Sequence, residues 1–420
     1  MRMMGFSSAA LCILLLCAVK AEKATFRQYQ VHRLIPTNEE QLNALRELED
    51  NSNEMNFWIG PSYVGKAIDV MVPPHELPHF KEVLENLNLK SEIYIEDVQK
   101  LVDIEELEAK RKSGFGWTAY YTLNEVSMIY AWLDSLVATY PGIVTPIVGG
   151  RTYQGREIRG VKLSFKAGNP GVFIESGIHA REWITPATVT YILNKLLTSD
   201  DPVIKDLAHS FDYYVFPSFN PDGYVYTHTT NRMWRKTRSP SSSLCYGADP
   251  NRNWDFHWRV VGASSSPCSD TYAGSSAASE IETQTLAAYI TSIVDKFDVY
   301  FAFHSYSQLL LLPYGHSQQH VSNYNELLTL GRQAATALAK NNGTRYTVGN
   351  IYDTIYPAAG GSMDWVRGKF DKPYTYTWEL RDTGRYGFLL PPNQIIDTAE
   401  ETLNSVVVIL QQAKSRLRGN

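Results

Sequence analysis

His179 and Glu182 stand three residues apart in the stretch His179-Ala180-Arg181-Glu182-Trp183. An imidazole and a carboxylate at that spacing can turn toward one cation, and both donor types suit zinc. A His-x-x-Glu pair alone says little, since such pairs also arise by chance and on solvated surfaces. Candidates for the remaining parts of a site lie downstream. His304 closes the apolar run Phe301-Ala302-Phe303, and Glu379 sits between Trp378 and Leu380. Two near ligands, a long spacer and one distant His form the layout of an open catalytic zinc site, where three protein groups leave a fourth position for water. Zinc there acidifies the water and polarises a carbonyl oxygen. A carboxylate that does not bind the metal must then carry the proton, and Glu379 is the candidate. Its apolar neighbours would raise its pKa toward neutrality.

Each of these residues has a plainer role to be weighed against the chemical one. His304 could be a hydrogen-bonded packing residue, and Glu379 could pair with Arg381. His316 and His320, four apart, form a rival ligand pair, but Gly315, Ser317, Gln318 and Gln319 make that stretch loop-like, and it reads as surface. The pattern His-Glu-x-x-His is absent. Two further stretches, Asn231-Arg232-Met233-Trp234-Arg235 and Asp249-Pro250-Asn251-Arg252-Asn253-Trp254, each pair an Asn and an Arg beside aromatics. Arg is suited to gripping a carboxylate through two hydrogen bonds.

The elements that must position these groups follow from periodicity. Near-continuous apolar runs at Val172–Ile174, Tyr213–Phe216, Val299–Phe303 and Tyr374–Trp378 suit strands covered on both faces. Helices are expected at Glu280–Phe297, Asn323–Lys340 and Gln394–Leu417. Another opens at the capping box Thr122–Glu125 with Val126, Ile129, Leu133 and Leu136 inward, and Thr185-Pro186 reads as a cap with proline at the first helical position. Strands alternating with helices predict an α/β fold for residues 113–420, a mixed, largely parallel sheet between helical layers. Ligands in such sheets bind beyond the carboxyl ends of strands. His179, His304 and Glu379 all fall at or just after such ends.

Residues 22–112 read as a separate small α/β unit. Phe26–Leu34, Ala67–Val72 and Glu92–Ile95 are strand-like, whereas Asn38–Glu49, Pro78–Leu87 and Asp97–Lys112 are helical. Lys110-Arg111-Lys112, between two folding units, offers a cleavage site to a trypsin-like protease.

The chain has 420 residues, enough for a large core and about two domains. It is 44% hydrophobic and 20% charged, a globular composition, and its formal charge of −5 argues against nucleic acid as a partner. Residues 1–21 resemble a secretory signal: Arg2, an apolar stretch from Ala9 to Val19, and small Val19 and Ala21 before a cut. That stretch is short for a membrane span, and no other is long enough, so a soluble secreted protein is expected. Cys12 and Cys17 leave with the signal. Cys245 and Cys268 remain and are expected to form one disulfide. Asn342-Gly343-Thr344 is a glycosylation acceptor.

At this point a resemblance is plain. The chain is similar to pancreatic-type A/B zinc procarboxypeptidases with their signal and propeptide. The likeness runs through His179–Trp183, Asn220-Pro221-Asp222-Gly223-Tyr224, Asn231–Arg238, Asn251–Trp254, His304-Ser305-Tyr306-Ser307, Ile355-Tyr356, Gly360-Gly361-Ser362 and Glu379–Gly384. It implies that His179, Glu182 and His304 hold one zinc ion and that Glu379 moves the proton. It implies that Arg235 stabilises the oxyanion. Asn251, Arg252 and Tyr356 would grip the free C-terminal carboxylate, which confines cleavage to the last residue. Arg181, Ser305 and Tyr306 would line the upstream subsites, and Asp249 would orient His179. Cys245–Cys268 matches the family disulfide, and residues 22–112 would cap the cleft until removed.

Specificity then rests on a pocket. Relatives that remove Lys or Arg carry an acid where this chain has Met363. By resemblance its neighbours are Leu311, Ile351, Ile355, Ala358, Gly361 and Thr377. An apolar pocket would leave a cation unpaired, so aromatic and large aliphatic C-terminal residues are expected. Pro357, directly after Tyr356, departs from the family pattern and would stiffen that loop. The expectation is a secreted monomeric zymogen of a zinc exopeptidase serving digestion. The alternatives are an inactive peptide-binding homologue, a basic-specific or regulatory carboxypeptidase, and an enzyme processing one hormone.

Overall fold

The computed structural model describes residues 23–52, 54–111, 114–120 and 125–418. The secretory stretch 1–21, Lys112 and Thr122, which opens the expected capping box, lie outside what is described. Among the described residues, no helix is long and apolar enough to cross a membrane.

The N-terminal unit comprises β1 (Gln30–Leu34), α1 (Glu39–Asn51), β2 (Asn56–Ile59), β3 (Ile68–Val72), α2 (Leu77–Asn86), β4 (Ser91–Ile95) and α3 (Val98–Arg111). Its strands form an antiparallel sheet in the order β2-β3-β1-β4. One face of α1 and α2 covers it, with Leu42, Leu45, Phe80 and Leu84 packed on Leu34, Val70 and Val72. Asn38 caps α1 by accepting from the Gln41 amide, which satisfies a donor the helix itself cannot. Two expectations change here. The first strand begins at Gln30, because residues 27–28 form a turn with Gln28 at positive φ. Strand β2, four residues long, is too short for its alternation to have been read.

The larger unit runs α4 (Glu125–Thr139), β5 (Val144–Arg151), β6 (Glu157–Leu163), β7 (Gly171–Ser176), α5 (Ile184–Thr198), α6 (Pro202–Ser210), β8 (Asp212–Phe216), α7 (Pro221–Thr229) and α8 (Ile281–Ser292). It continues with β9 (Val299–Ser305), β10 (Leu309–Leu312), α9 (Tyr324–Asn342), β11 (Thr347–Asn350), α10 (Ile351–Thr354), α11 (Ser362–Phe370), β12 (Tyr374–Leu380) and α12 (Ile395–Arg418). The eight-stranded sheet has the order β11-β10-β12-β9-β7-β8-β6-β5. Its centre, β12-β9-β7-β8, is parallel, and these are the strands whose apolar runs were legible. β6, β5 and β10 join antiparallel. Helices cover both faces. Ile192, Leu196, Leu403, Val406 and Leu410 belong to one core, while Leu286, Ile290 and Val366 belong to another around Phe173 and Tyr300.

The expected cap at Thr185 is corrected. α5 starts at Ile184, so Pro186 falls at the third helical position. The Thr185 hydroxyl is engaged elsewhere: it accepts from the Gly177 amide at 3.0 Å and donates to the Glu182 carbonyl at 3.0 Å. The helix expected over Glu280–Phe297 ends at Ser292, followed by a single 3-10 turn.

Candidate metal centre

Strand register brings the site together. In the parallel pair of β12 and β9, Glu379 lies opposite His304, one strand spacing away on the same face. β7 lies on the other side of β9, and the chain leaves it through Gly177, whose φ of 65° a side chain would disfavour. That turn carries His179 to the carboxyl edge of the sheet, and Glu182 follows just before α5.

His179 Nδ1 lies 2.7 Å from Glu182 Oε1 and 3.2 Å from His304 Nδ1, and His304 Nδ1 is 3.3 Å from Glu182 Oε2. All three side chains are buried. Two imidazole nitrogens facing each other across a carboxylate form a donor set for one cation. His179 Nε2 lies 3.1 Å from Asp249 Oδ1, which fixes a proton on Nε2 and leaves the Nδ1 lone pair free for metal. Glu182 is steadied by the Ser305 amide, which donates to Oε2 at 3.2 Å. Burial raises the Glu182 carboxyl, but His179 and His304 more than reverse this and hold it below the usual carboxylate range. Burial also lowers His179, with Arg235 adding to the effect, which favours the neutral ring that a metal ligand needs. These residues fit zinc. Among the described residues one other grouping could hold a metal, Glu54, His75 and Glu76, but it is largely exposed on the N-terminal unit, where solvated carboxylates need no ion.

Glu379 is free of Arg381, whose guanidinium pairs instead with Glu401 at 2.7 Å. Burial pushes Glu379 up to about 8, with His304 drawing it back and Glu182 pushing it further. Arg235 donates through Nε and Nη2 to Asp249 Oδ2, at 3.1 and 2.8 Å. One carboxylate therefore orients both His179 and Arg235, a double role the sequence did not disclose. Arg252 donates to the carbonyls of Gly262 and Asn251, and its guanidinium carbon lies 5.5 Å from the Tyr356 ring centre. Asn251 Oδ1 accepts from the Ser362 amide at 3.0 Å.

Beside these groups opens a small pocket lined by Asn251, Leu311, Ile351, Ile355, Ala358, Gly361, Met363 and Thr377 among others. Every residue expected there is present. Asp364 also borders it, but its carboxylate accepts from the Gly315 and His316 amides and contacts His316 Nδ1. His316 is thereby occupied and stacks on His257, while His320 stacks on Tyr324, so the rival pair makes no chelate. Cys245 and Cys268 are joined by a disulfide.

The N-terminal unit lies over the cleft. Asp69 accepts from Tyr306 Oη at 2.7 Å and pairs with Arg33, and Asn56 Oδ1 accepts from Arg181 at 2.9 Å. Trp58 packs against Tyr306 and Phe388. Glu105 of α3 takes two hydrogen bonds from Arg232, at 2.7 and 3.0 Å, with both residues at most 2% exposed. None of Asn56, Asp69 and Glu105 stood out in sequence, because nothing local marks a residue whose partner lies more than a hundred positions away. A cavity of about 430 Å³ remains between the units, bordered by Glu49 and Asp50 on one side and Arg181, Arg235, Arg252 and Tyr356 on the other.

Comparison with known proteins agrees with this geometry. Residues 129–405 match the family model described as zinc carboxypeptidase, and residues 32–105 match that of the carboxypeptidase activation peptide. Zinc carboxypeptidase A 1 of Anopheles gambiae is 49% identical over 401 residues, covering 94% of this chain and 92% of that one. Carboxypeptidase A1 of Bos taurus is 43% identical over 408 residues, covering 94% and 96%. Among solved structures, thrombin activatable fibrinolysis inhibitor superposes with a TM-score of 0.85 at 30% identity, covering 93% and 100%.

Proposed function

Because this chain belongs to the zinc carboxypeptidase family and carries that family's activation peptide, it is a metallocarboxypeptidase made as a zymogen, and we propose that it removes aromatic and large aliphatic residues from peptide C-termini. The observation that carries the reading is the pocket beside Glu379. Met363 lines it, and the acid at its border, Asp364, is already engaged by the Gly315 and His316 amides and by His316 Nδ1. Apart from Glu379, whose carboxyl burial raises to about 8, a cation entering it would find no free acid, whereas apolar surface gains roughly 25 cal/mol for each Å² removed from water.

Zinc held by His179, Glu182 and His304 supplies Lewis acidity at the scissile carbonyl and toward the attacking water. Arg252, Asn251 and Tyr356 hold the terminal carboxylate, so only the last peptide bond reaches the site. Glu379 takes a proton from the attacking water as its oxygen bonds to the carbonyl carbon. It then delivers that proton to the nitrogen of the breaking C–N bond. A carboxyl with a pKa near the working pH serves both steps. Arg235, aligned by Asp249, donates to the oxygen on which negative charge develops, a role worth roughly 3 kcal/mol. Arg181, Ser305 and Tyr306 receive the residues upstream.

The activation peptide, residues 22–112, inhibits by occupying Arg181 and Tyr306 through Asn56 and Asp69. A trypsin-like protease cuts near Lys110-Arg111-Lys112, where α3 ends with an exposed Lys110. Residues 1–21 direct secretion, and the monomeric enzyme, residues 113–420, serves digestion. The test is limited trypsin treatment followed by assay on matched blocked dipeptides. Activity on the one ending in Phe should rise far above that on the one ending in Arg. Equal rates, or the reverse order, would reject the pocket argument.

A further inference from the structure

Glu175 is a buried acid that the chemistry above does not use. It stands on β7 opposite Ala302 of β9; Ala302 stands opposite Thr377 of β12, and Thr377 opposite Leu311 of β10. Residues paired across a sheet share a face, so these four form one row. Its last two members, Thr377 and Leu311, line the side-chain pocket. With strands ~4.8 Å apart, Glu175 sits about two spacings from Thr377. Only the methyl group of Ala302 lies between them on the sheet.

The space above that methyl is bridged from α11 by two consecutive residues. Ser362 Oγ donates to Glu175 Oε1 at 2.5 Å, and Thr377 Oγ1 donates to Met363 Sδ at 3.4 Å. Both Ser362 and Met363 line the pocket, whereas Glu175 does not. Glu175 is 1% exposed, and among the described residues neither its Oε2 nor the neighbouring Tyr300 hydroxyl makes a well-formed hydrogen bond, so Tyr300 satisfies the carboxyl only weakly. Burial raises its pKa, offset in part by the hydroxyls of Ser362 and Tyr300 and by His304. A buried carboxyl with one idle oxygen is costly unless something else can satisfy it.

We propose that Glu175 is a latent receptor for a cationic C-terminal side chain, held out of the pocket by the Met363 thioether. The preference for uncharged residues is then set by a screen and not by the lack of an acid. Met is the apt residue for such a screen, since its unbranched chain fills the gap over Ala302 with three rotatable bonds. Removing that chain opens the row above Ala302 beside Ser362; the ~10 Å between Thr377 and Glu175 along the sheet is then to be spanned jointly by the Glu175 side chain and the longer stem of a lysine or arginine. The inference rests on the reading that this pocket receives the C-terminal side chain.

The experiment uses the full chain, activated by limited trypsin treatment, in four forms: wild type, Met363→Ala, Glu175→Gln and the double variant. The readout is the ratio of kcat/KM for blocked dipeptides ending in Arg and in Phe, from which the folded fraction cancels. The expected result is a ratio in Met363→Ala at least tenfold above wild type, and a return to the wild-type ratio in the double variant. A wild type that prefers Arg would sink the apolar-pocket reading itself. A wild type that prefers Phe, with an unchanged ratio in Met363→Ala or a gain that survives Glu175→Gln, overturns the inference alone. Calorimetric binding of 4-guanidinobutanoate against 3-phenylpropanoate gives a second readout that needs no turnover. Met363→Ser repeats the series should the alanine variant lose Phe activity.

Discussion

Removing the Glu105 carboxylate should cut the hold of the activation peptide on the catalytic unit by roughly 10²- to 10⁴-fold. Arg232 is 1% exposed and Glu105 2%, and they share two hydrogen bonds. Arg232 also donates to the carbonyls of Arg181 and Phe388, and its guanidinium carbon sits 3.6 Å from the Trp183 ring centre. It therefore cannot swing out to water when its partner is lost. Removing one member of a buried pair costs about 3–5 kcal/mol, because the other charge stays desolvated. At about 1.4 kcal/mol per decade, that is two to almost four decades in affinity. Glu106, one residue on, pairs with Lys23 and Lys110 while about a third exposed, so Glu106→Ala should change affinity by less than about tenfold. The assay is the activity of trypsin-clipped chain over a dilution series, where dissociation of the clipped peptide releases enzyme. Glu105→Ala should move the half-release concentration up by the stated factor, and Glu105→Gln should do nearly as much. A shift in Glu105→Ala no larger than that of Glu106→Ala would refute the argument that this pair is the latch.

Glu379→Gln should retain zinc, measured by elemental analysis, while kcat falls by at least roughly 10²-fold; near-normal turnover would remove Glu379 as the proton carrier. Asp249→Asn should weaken zinc binding by roughly 10–100-fold in a chelator titration, since the His179 ring loses its orienting carboxylate. Arg252→Ala should raise KM while zinc content stays normal, and an unchanged KM would place the carboxylate clamp elsewhere. Burial, reinforced by Glu280 and Asp222, pushes Glu282 up to about 7 against an ordinary 4.5. The folded chain therefore takes up a proton that the unfolded chain has lost, and stability falls as pH rises from about 4.5 through 7. Glu282→Gln should remove that loss, raising stability at pH 8 by on the order of 3 kcal/mol with little change at pH 4. Equal Tm differences at the two pH values would count against it.

The residue types and strand ends that make the centre were legible from the chain alone. His179, His304 and Glu379 each fall at or just after an apolar run long enough to be read as a buried strand, Glu182 is marked by its spacing from His179, and buried parallel strands write themselves in continuous hydrophobics. The antiparallel strands β5 and β6 were not legible, because one face meets water and their apolar content is diluted by Arg, Lys and Glu. The helix start at Ile184 was misread because Thr185 looks like a cap locally, while its hydroxyl serves Gly177 and Glu182 across the turn. What the tertiary structure alone decided are pairings between distant positions: Asp249 serving both His179 and Arg235, Arg381 going to Glu401 and leaving Glu379 free, and Glu105 latching Arg232. The same holds for the row that sets Glu175 behind Met363. A sequence encodes which groups tolerate burial through their neighbours along the chain. Which charge meets which is fixed only by strand register and by the order of strands in the sheet, and neither is a local property.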